Sequence, residues 1–197
     1  KIIKKLIAHG PVLIRGGRGS GKSALLKKAY FQSNSEPHNK NIIGIYISLR
    51  YLPLLRSEGK EYESTFCSIL SKHIQAGIHS SFEQTNDISI LQKQLYDLAI
   101  NEEKRIILFF DDAAHIGRET SLKEFFDIFR MLSSNVISCK AAIYPGVTEF
   151  GMRFDLLNDA NVIDIARNDE HPYFSEFFDE LIKLRYNDVI ISKNISV

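Results

Sequence analysis

The sequence predicts an α/β fold in which helices cover both faces of a mainly parallel β-sheet. Three observations support this prediction. Short apolar stretches typical of strands alternate with longer amphipathic stretches typical of helices. A glycine-rich segment, residues 16–23, directly follows one apolar stretch and precedes a helical pattern. A second stretch, residues 105–110, is apolar after its first residue and runs straight into Asp111 and Asp112, as a strand buried on both faces would.

Composition is that of one soluble domain. The 197 residues are 44% hydrophobic and 25% charged, and no apolar run approaches the roughly 20 residues that span a bilayer. Cys67 and Cys139 lack metal-site or redox spacing, so we expect two buried, reduced thiols and a cytoplasmic setting without membrane contact. The chain lacks an initiator methionine and a signal-peptide pattern, and we expect it to be part of a longer protein.

Charge is balanced overall but uneven along the chain. The net charge of +1 argues against a generally basic nucleic-acid binder. Eight basic residues nevertheless precede the first acidic one, Glu36: Lys1, Lys4, Lys5, Arg15, Arg18, Lys22, Lys27 and Lys28. A local positive face around a phosphate site explains this skew, although lysines on a solvated helix surface explain most of it equally well.

Local patterns place the individual elements. Strands are predicted at residues 12–14, 42–49, 105–110, 141–144 and 162–165. Helices are predicted at residues 24–30, 61–75 and 88–100, after a capping box at Ser121 and Glu124, and from Pro172 onward. Asp87 is the expected cap of the helix at 88–100. No pattern assigns an element to the last residues, 187–197.

The segment 16–23 carries the most specific motif. It matches G-x-x-x-x-G-K-[ST] between a strand and a helix, which is the context a phosphate-binding P-loop requires. Its glycines let successive N–H groups converge on a phosphate, Lys22 is expected to reach the β- and γ-phosphates, and the Ser23 hydroxyl is expected to bind Mg²⁺. Nucleotide contacts are predicted for Gly16, Gly17, Arg18, Gly19, Ser20, Gly21, Lys22, Ser23 and Ala24.

A dinucleotide-binding loop is the nearest alternative to a P-loop. It would need G-x-G-x-x-G and an acidic residue about 20 positions later. Gly17 and Gly19 are not followed by the third glycine, and Gly16 is mis-spaced for this motif. The dinucleotide interpretation therefore fails.

Asp111 and Asp112 complete the predicted site. Mg²⁺ is commonly held through one or two carboxylates together with water and phosphate, and Asp111 stands at the end of a buried strand. Asp112 is the predicted general base for the attacking water. Because its side chain is one methylene shorter than glutamate, we expect slow hydrolysis. A purely structural role as a helix cap is the alternative for either residue.

These motifs together resemble the ASCE class of P-loop ATPases, which contains the AAA+ and STAND proteins. Residues 109–115 (FFDDAAH) and 141–148 (AAIYPGVT) are most similar to the ORC/CDC6-like and STAND regulatory ATPases. The resemblance covers about residues 1–185, taken as the ATPase core, with 186–197 unassigned. It implies a three-layer αβα sandwich with the acidic strand inside the sheet, whereas kinases and GTPases place that strand beside the P-loop strand. No N-K-x-D segment is present to recognise guanine, so ATP is expected.

The chain departs from this family near its sensor strand. Tyr144 and Pro145 occupy the place where the family has a small polar residue, which leaves Thr148 as a substitute for contacting the γ-phosphate. Arg153 is the best candidate for an arginine finger, ahead of Arg118 and Arg167. His115 would orient water or, more simply, cap the strand exit. A helical lid and a further domain, expected from the resemblance, do not fit within the chain.

The expected function is Mg-dependent ATP binding and hydrolysis by a regulatory switch. Its expected partners are a lid or effector domain and a second copy of the chain. An ORC-like ATPase that binds or loads DNA is the first alternative, in which a further domain would supply the basic surface. A small-molecule phosphotransferase is the second.

Overall fold

The computed structural model describes residues 1–50, 52–78, 81–113, 119–146, 150 and 154–165. These residues belong to one unit, Lys1–Ile165. The strands are β1 (Val12–Arg15), β2 (Ile42–Ser48), β3 (Arg105–Asp111), β4 (Ile137–Ile143) and β5 (Asn161–Asp164). The helices are α1 (Ile2–Ile7), α2 (Lys22–Ser33), α3 (Leu52–Arg56), α4 (Gly59–Gly77), α5 (Ile88–Asn101), α6 (Glu119–Leu132) and α7 (Leu156–Asp159). The helix predicted from Pro172 lies outside the described residues.

The sheet is parallel and has the order β2-β3-β4-β1-β5. Strand β4 therefore lies between the P-loop strand β1 and the acidic strand β3, as the resemblance implies. The predicted α/β class and strand order are confirmed. Strand β3 is interior and buried at six of its seven positions, but the central place in the sheet belongs to β4.

Two hydrophobic clusters occupy the two faces of the sheet. One contains residues of α1 and α2 together with Ile14, Ile107 and Phe109. The other is larger and joins α4, α5 and α6 to Leu108 and Phe110, with several phenylalanine rings in mutual contact. Alternate residues of β3 thus pack against opposite helical layers, which gives the predicted three-layer αβα sandwich.

Helix boundaries follow the predicted signals in one case and depart from them in another. Asp87 caps α5, because its Oδ1 accepts hydrogen bonds from the N–H groups of Ser89 and Ile90 at 2.8 and 3.0 Å. The capping box predicted for α6 is wrong in position. The described helix already includes Glu119, two residues before Ser121, and Glu124 instead accepts a hydrogen bond from the N–H of Gly59 at 2.8 Å.

Strand β4 begins at Ile137, before the predicted start at Ala141, because buried polar residues interrupt the apolar pattern of the strand. Lys140 has no exposed surface, and its ammonium donates to the carbonyl oxygens of Ala8, at 2.8 Å, and Gly10. Burial lowers the pKa of Lys140 to about 8. The hydroxyl of Ser138 accepts a hydrogen bond from the N–H of Gly10 at 3.0 Å. These contacts fasten the segment before β1 to the amino end of β4.

The outer edge of β2 is closed by a side chain. Among the described strands β2 is the outermost on its side. Asn34, at the end of α2, accepts from the N–H of Gly44 at 2.9 Å and donates to its carbonyl at 3.1 Å. A Cβ atom at position 44 would overlap the Ser33 hydroxyl and come within 2.8 Å of the Asn34 amide. Glycine is therefore needed for this close approach.

Both cysteines are buried and free, as predicted. Burial raises the pKa of the Cys67 and Cys139 thiols to about 12, so neither is a reactive thiolate at neutral pH. Within the described part of the chain, none of the helices combines the length and apolar character needed to cross a membrane.

Candidate functional site

The glycine-rich loop connects β1 to α2 at the carboxyl edge of the sheet. Gly19 and Gly21 have φ angles of 79° and 88°, in the left-handed region that side chains with a Cβ rarely adopt. Helix α2 begins immediately afterwards, at Lys22. Its first N–H groups lack partners within the helix, and the positive end of its dipole lies at the loop. This local geometry suits an anion.

The loop is closely packed at its first glycine. A Cβ atom on Gly16 would lie 2.6 Å from Ser20 Oγ and 2.7 Å from Ile165 Cγ1, so a larger residue does not fit without movement. Ser20 Oγ is itself buried without a hydrogen-bond partner among the described residues. A buried hydroxyl without a partner is costly, and its position inside the loop is consistent with a ligand that supplies an acceptor.

Lys22 lies across the loop. Its Nζ donates to the carbonyl oxygens of Gly16 and Gly17, each at 2.7 Å, and the side chain is 8% exposed. The ring of Tyr144 lies 4.1 Å from the same nitrogen. Burial lowers the pKa of Lys22 below its ordinary value, and the nearby carboxylates of Asp111 and Asp112 act in the opposite direction. An ammonium has three protons, so the loop carbonyls leave one for a phosphate oxygen.

Asp111 meets Ser23 at the end of β3. Its Oδ1 accepts from the Ser23 hydroxyl at 3.0 Å and from the N–H of Asp112 at 2.9 Å. Its Oδ2 accepts from the Tyr46 hydroxyl at 2.6 Å. The carboxylate is 3% exposed, and three donors offset the cost of burying it. The structure thus brings together the two residues predicted to hold the metal.

The donor set fits Mg²⁺ in a P-loop site. Among the described residues no group of three or more histidine, cysteine, aspartate or glutamate side chains is arranged to hold a metal by itself. A nucleotide-bound Mg²⁺ does not need such a cage, since phosphate oxygens and water complete its shell. The Ser23 hydroxyl and the Asp111 carboxylate are hard oxygen donors 3.0 Å apart, and these residues would hold the ion.

The backbone of Asp112 adopts an unusual conformation, and its side chain has different partners from that of Asp111. Its φ angle is 58°, which aspartate tolerates better than most residues. Its Oδ2 accepts from the Ser48 hydroxyl at 2.9 Å, and its Oδ1 lies 3.6 Å from Nε of Arg50. The side chain is 20% exposed, so unlike Asp111 it is open to water. Geometry therefore separates a buried, fully bonded carboxylate from a more accessible one.

Burial, and then the hydrogen bond and charge of Asp111, raise the pKa of the Tyr46 phenol above its ordinary value. The proton therefore stays on Tyr46, which remains a hydrogen-bond donor at neutral pH. Tyr46, Ser48 and Arg50 also contact the two carboxylates, but none of them belongs to a motif of the sequence. Tyr46 and Ser48 alternate along β2, and register pairs Ser48 with Asp111. Tyr46 and Ser48 lie near the end of β2. Only the strand order reveals that β2 is the neighbour of β3 and that these two residues therefore lie beside the acidic pair.

The other predicted residues fall into two groups. Gly17, Arg18, Gly19, Gly21 and Ala24 lie in the loop or at the start of α2, with Arg18 and Ala24 exposed. Five further residues lie outside the described part of the chain, so their predicted roles stay predictions: His115, Arg118, Thr148, Arg153 and Arg167.

An ion pair flanks the loop, and one cavity lies elsewhere. Nε and a terminal nitrogen of Arg15, the residue before the loop, donate to Oδ2 of Asp164 at 3.0 and 2.6 Å and join the ends of β1 and β5.

A cavity of about 310 Å³ lies along α5, lined by Phe82, Gln94 and Asp97 among others. None of its lining residues belongs to the loop or to the acidic pair.

Solved structures share the fold at low sequence identity. One match is a structure of Drosophila ORC bound to DNA, with a TM-score of 0.54, 12% identity and coverage of 81% of this chain and 38% of that chain. Two structures of Drosophila ORC with Cdc6, bound to poly(dA/dT) and to GC-rich DNA, have TM-scores of 0.51 and 0.50 at 8% identity. They cover 83% and 84% of this chain and 26% of each of those chains.

No protein-family model matches the chain, and no curated protein matches it. The chain spans between about a quarter and two fifths of the length of the three solved chains. Together with the strand order, these likenesses show that the chain shares the fold of P-loop ATPases with the matched ORC structures.

Proposed function

We propose that this chain binds Mg·ATP on the loop 16–23, hydrolyses it slowly and acts as a nucleotide-dependent regulatory switch. The observation that carries the proposal is the hydrogen bond of 3.0 Å between Ser23 and Asp111. It joins the first turn of α2 to the end of β3, so a hydroxyl and a carboxylate lie beside the phosphate-binding loop. Bound Mg²⁺ would neutralise charge on the phosphate oxygens.

Lys22 and the loop bind and orient the nucleotide in this proposal. The ammonium is positioned by two loop carbonyls and keeps one proton for a terminal phosphate oxygen. The N–H groups at the start of α2 face the same anion. Binding and orientation of this kind account for most of the catalysis expected in phosphoryl transfer.

Asp112 is the proposed general base. It is the more accessible of the two carboxylates and accepts a proton from water in this role. The Ser48 hydroxyl donates to its Oδ2, and Nε of Arg50 lies 3.6 Å from its Oδ1, so these two contacts fix the orientation of the carboxylate. The side chain of Asp112 is one methylene shorter than glutamate, which favours slow hydrolysis.

Strand order favours an ATPase over a small-molecule phosphotransferase. In P-loop kinases and GTPases the acidic strand is a direct neighbour of the P-loop strand. Here β4 separates β1 from β3. In the proposal, a lid, effector domain or second copy of the chain reads the nucleotide state.

Calorimetric titration of the full chain with ATP, in excess Mg²⁺ and in EDTA, tests the binding proposal. We expect binding that is tighter with Mg²⁺, and single-turnover phosphate release that is slow but above the buffer rate. Absence of binding under both conditions overturns the proposed function. Tight Mg·ATP binding without any phosphate release leaves a binding switch and rejects the ATPase.

Nucleotide-dependent DNA binding is a second candidate. The three Drosophila structures that share the fold were solved bound to DNA. In addition, α1 and α2 expose Lys4, Lys5, Lys27 and Lys28, and no acidic residue occurs before Glu36. Affinity for duplex DNA would then fall steeply as salt rises, and would differ between ATP and ADP. Affinity that is unmeasurable even at low salt rejects this candidate and leaves the ATP switch unaffected.

A further inference from the structure

The contact between Tyr46 and Asp111 is not explained by the P-loop motif or by the acidic pair. Tyr46 belongs to β2, and its hydroxyl donates to Oδ2 of Asp111 at 2.6 Å, the shortest of the three hydrogen bonds to this carboxylate. The other two donors, Ser23 and the N–H of Asp112, both bind Oδ1. Among the described residues, Tyr46 is therefore the donor that fixes the second oxygen.

The phenol reaches Asp111 because of strand register. Tyr46 pairs with Phe109, and Ser48 pairs with Asp111, in the parallel ladder between β2 and β3. Residues two apart along a strand lie on one face, so Tyr46, Phe109 and Asp111 all face the layer that contains α2. The tyrosine side chain extends along this face toward the carboxyl edge of the sheet, where Asp111 ends β3.

The ring of Tyr46 is itself held by α2. The Tyr30 ring lies 5.8 Å from it at a tilt of 47°, and the ammonium of Lys27 lies 5.7 Å from its centroid. Helix α2 thus contacts one oxygen of the carboxylate directly and the other through Tyr46. Ser23 binds Oδ1 directly, and Tyr30 and Lys27 pack on the residue that binds Oδ2.

We propose that Tyr46 is a positioning residue, which holds the Asp111 carboxylate in the orientation that favours Mg·ATP over metal-free ATP. The inference rests on the proposed function, since it concerns the same site. Without the phenol, the 3% exposed carboxylate keeps, among the described residues, only the donors to Oδ1 and can rotate about its Cβ–Cγ bond. A ligand held in two orientations binds a metal more weakly than one held in a single orientation.

A purely structural role makes a different prediction. If Tyr46 only stabilised the sheet, Tyr46→Phe would lower the free energy of unfolding and would affect ATP binding equally with and without Mg²⁺. A positioning role affects the metal-dependent part of binding selectively. The informative quantity is therefore the ratio of ATP affinity in excess Mg²⁺ to ATP affinity in EDTA.

The test measures this ratio calorimetrically for the full chain and two variants. Tyr46→Phe removes the hydroxyl and keeps the ring. Tyr30→Phe is the matched control, because it removes a hydroxyl from the neighbouring ring and leaves every hydrogen bond to Asp111 in place. We expect Tyr46→Phe to lower the ratio about tenfold, the scale for losing a hydrogen bond to a charged group, with EDTA affinity unchanged within about twofold. Tyr30→Phe should keep the original ratio.

Each other outcome overturns the inference. An unchanged ratio in a folded Tyr46→Phe protein, beside an original chain that binds Mg·ATP, removes the role of Tyr46 and leaves the proposed function intact. Equal losses with and without Mg²⁺ indicate a structural role. If the unmodified chain binds no ATP under either condition, the proposed function fails and this inference fails with it. Thermal unfolding of both variants establishes that they are folded.

Discussion

The Ser23 hydroxyl donates a hydrogen bond to Oδ1 of Asp111 at 3.0 Å, although the two residues are 88 positions apart in sequence. The contact links the helix that follows the loop to the strand that carries the acidic pair. Between those elements the described residues form a short 3₁₀ helix, β2 and three α-helices before the chain reaches β3.

Lys22→Ala is expected to weaken ATP binding at least about a hundredfold, because it removes a buried ammonium from the phosphate-binding loop. The fold should persist, since Lys22 lies outside both hydrophobic clusters. Calorimetry with Mg·ATP measures the loss. Lys28→Ala, at an exposed position on the same helix, is the control and should bind normally. Unchanged affinity in a folded Lys22→Ala protein would refute the P-loop assignment.

Asp112→Asn is expected to reduce turnover about a hundredfold or more while leaving Mg·ATP affinity nearly unchanged. The amide keeps the size of the side chain but cannot accept a proton from water, and general-base loss has this scale. Single-turnover phosphate release beside a binding titration separates the two effects. A variant that loses affinity but keeps its rate would show that Asp112 acts in binding and not in proton transfer.

Asp111→Asn should affect nucleotide affinity as well as turnover, unlike Asp112→Asn. It removes a proposed metal ligand, so affinity for Mg·ATP should fall together with turnover, whereas affinity for ATP in EDTA should change little. The same titrations, carried out in both buffers, measure this difference. Equal behaviour of the two asparagine variants would mean that the metal-binding and base roles are not divided between Asp111 and Asp112.

ATP should bind in preference to GTP. The chain has no N-K-x-D segment to recognise guanine, and phosphate contacts alone do not distinguish the two bases. Displacement of a fluorescent ATP analogue by each nucleotide, at matched Mg²⁺, is the measurement. Displacement by GTP at the same concentration as ATP would contradict the expected base preference, without affecting the phosphate site.

Gly16→Ala is expected to lower the free energy of unfolding by about 1–3 kcal/mol, the usual scale for overpacking. The added methyl group would come within 2.6 Å of Ser20 Oγ and 2.7 Å of Ile165 Cγ1. Gly17→Ala is a close control, because a Cβ there meets nothing within 4 Å. Urea unfolding without nucleotide compares the two variants. Equal stability would show that the loop shifts freely to admit a side chain at position 16.

Lys140 should make stability depend on pH above neutrality. Its folded pKa is about 8 and its ordinary value is 10.5, so between these values the unfolded chain binds more protons and stability from this residue rises with pH. Below about pH 8 the charged lysine is a constant cost. Relative to Lys140→Met, the original chain should gain up to about 1.4 kcal/mol per pH unit from pH 8 to 10 in chemical denaturation. Parallel pH curves would contradict this expectation.

Much of the architecture could be predicted from the sequence because its signals are local. The apolar runs of β2 and β3 and the Asp87 cap each depend on a few adjacent residues. Strand β4 was predicted only from Ala141 onward, because Ser138 and Lys140 interrupt its apolar pattern. Both are buried through hydrogen bonds to His9 or to backbone groups before β1, which no local pattern indicates. Helix α1 is short and was not predicted.

The same contrast between local and long-range signals applies to the residues of the candidate site. The loop and the acidic pair were found because each is a motif of consecutive residues. Tyr46 and Ser48 were not found, because their contacts depend on which strand adjoins β3 and on a register that pairs Ser48 with Asp111. Sequence patterns identify the residues that meet a ligand more readily than the residues that hold them in place.

The amide of Asn34 has a consequence for the edge of the sheet at β2, the outermost of the described strands on its side. An exposed strand edge is a template on which another chain can add a strand and extend the sheet, which is a route to aggregation. At the middle of β2 the outward N–H and carbonyl of Gly44 are both engaged by Asn34. An incoming strand would first have to displace this side chain. Helix α2 begins at the phosphate-binding loop and ends next to Asn34, so its last turn also opposes growth of the sheet at this edge.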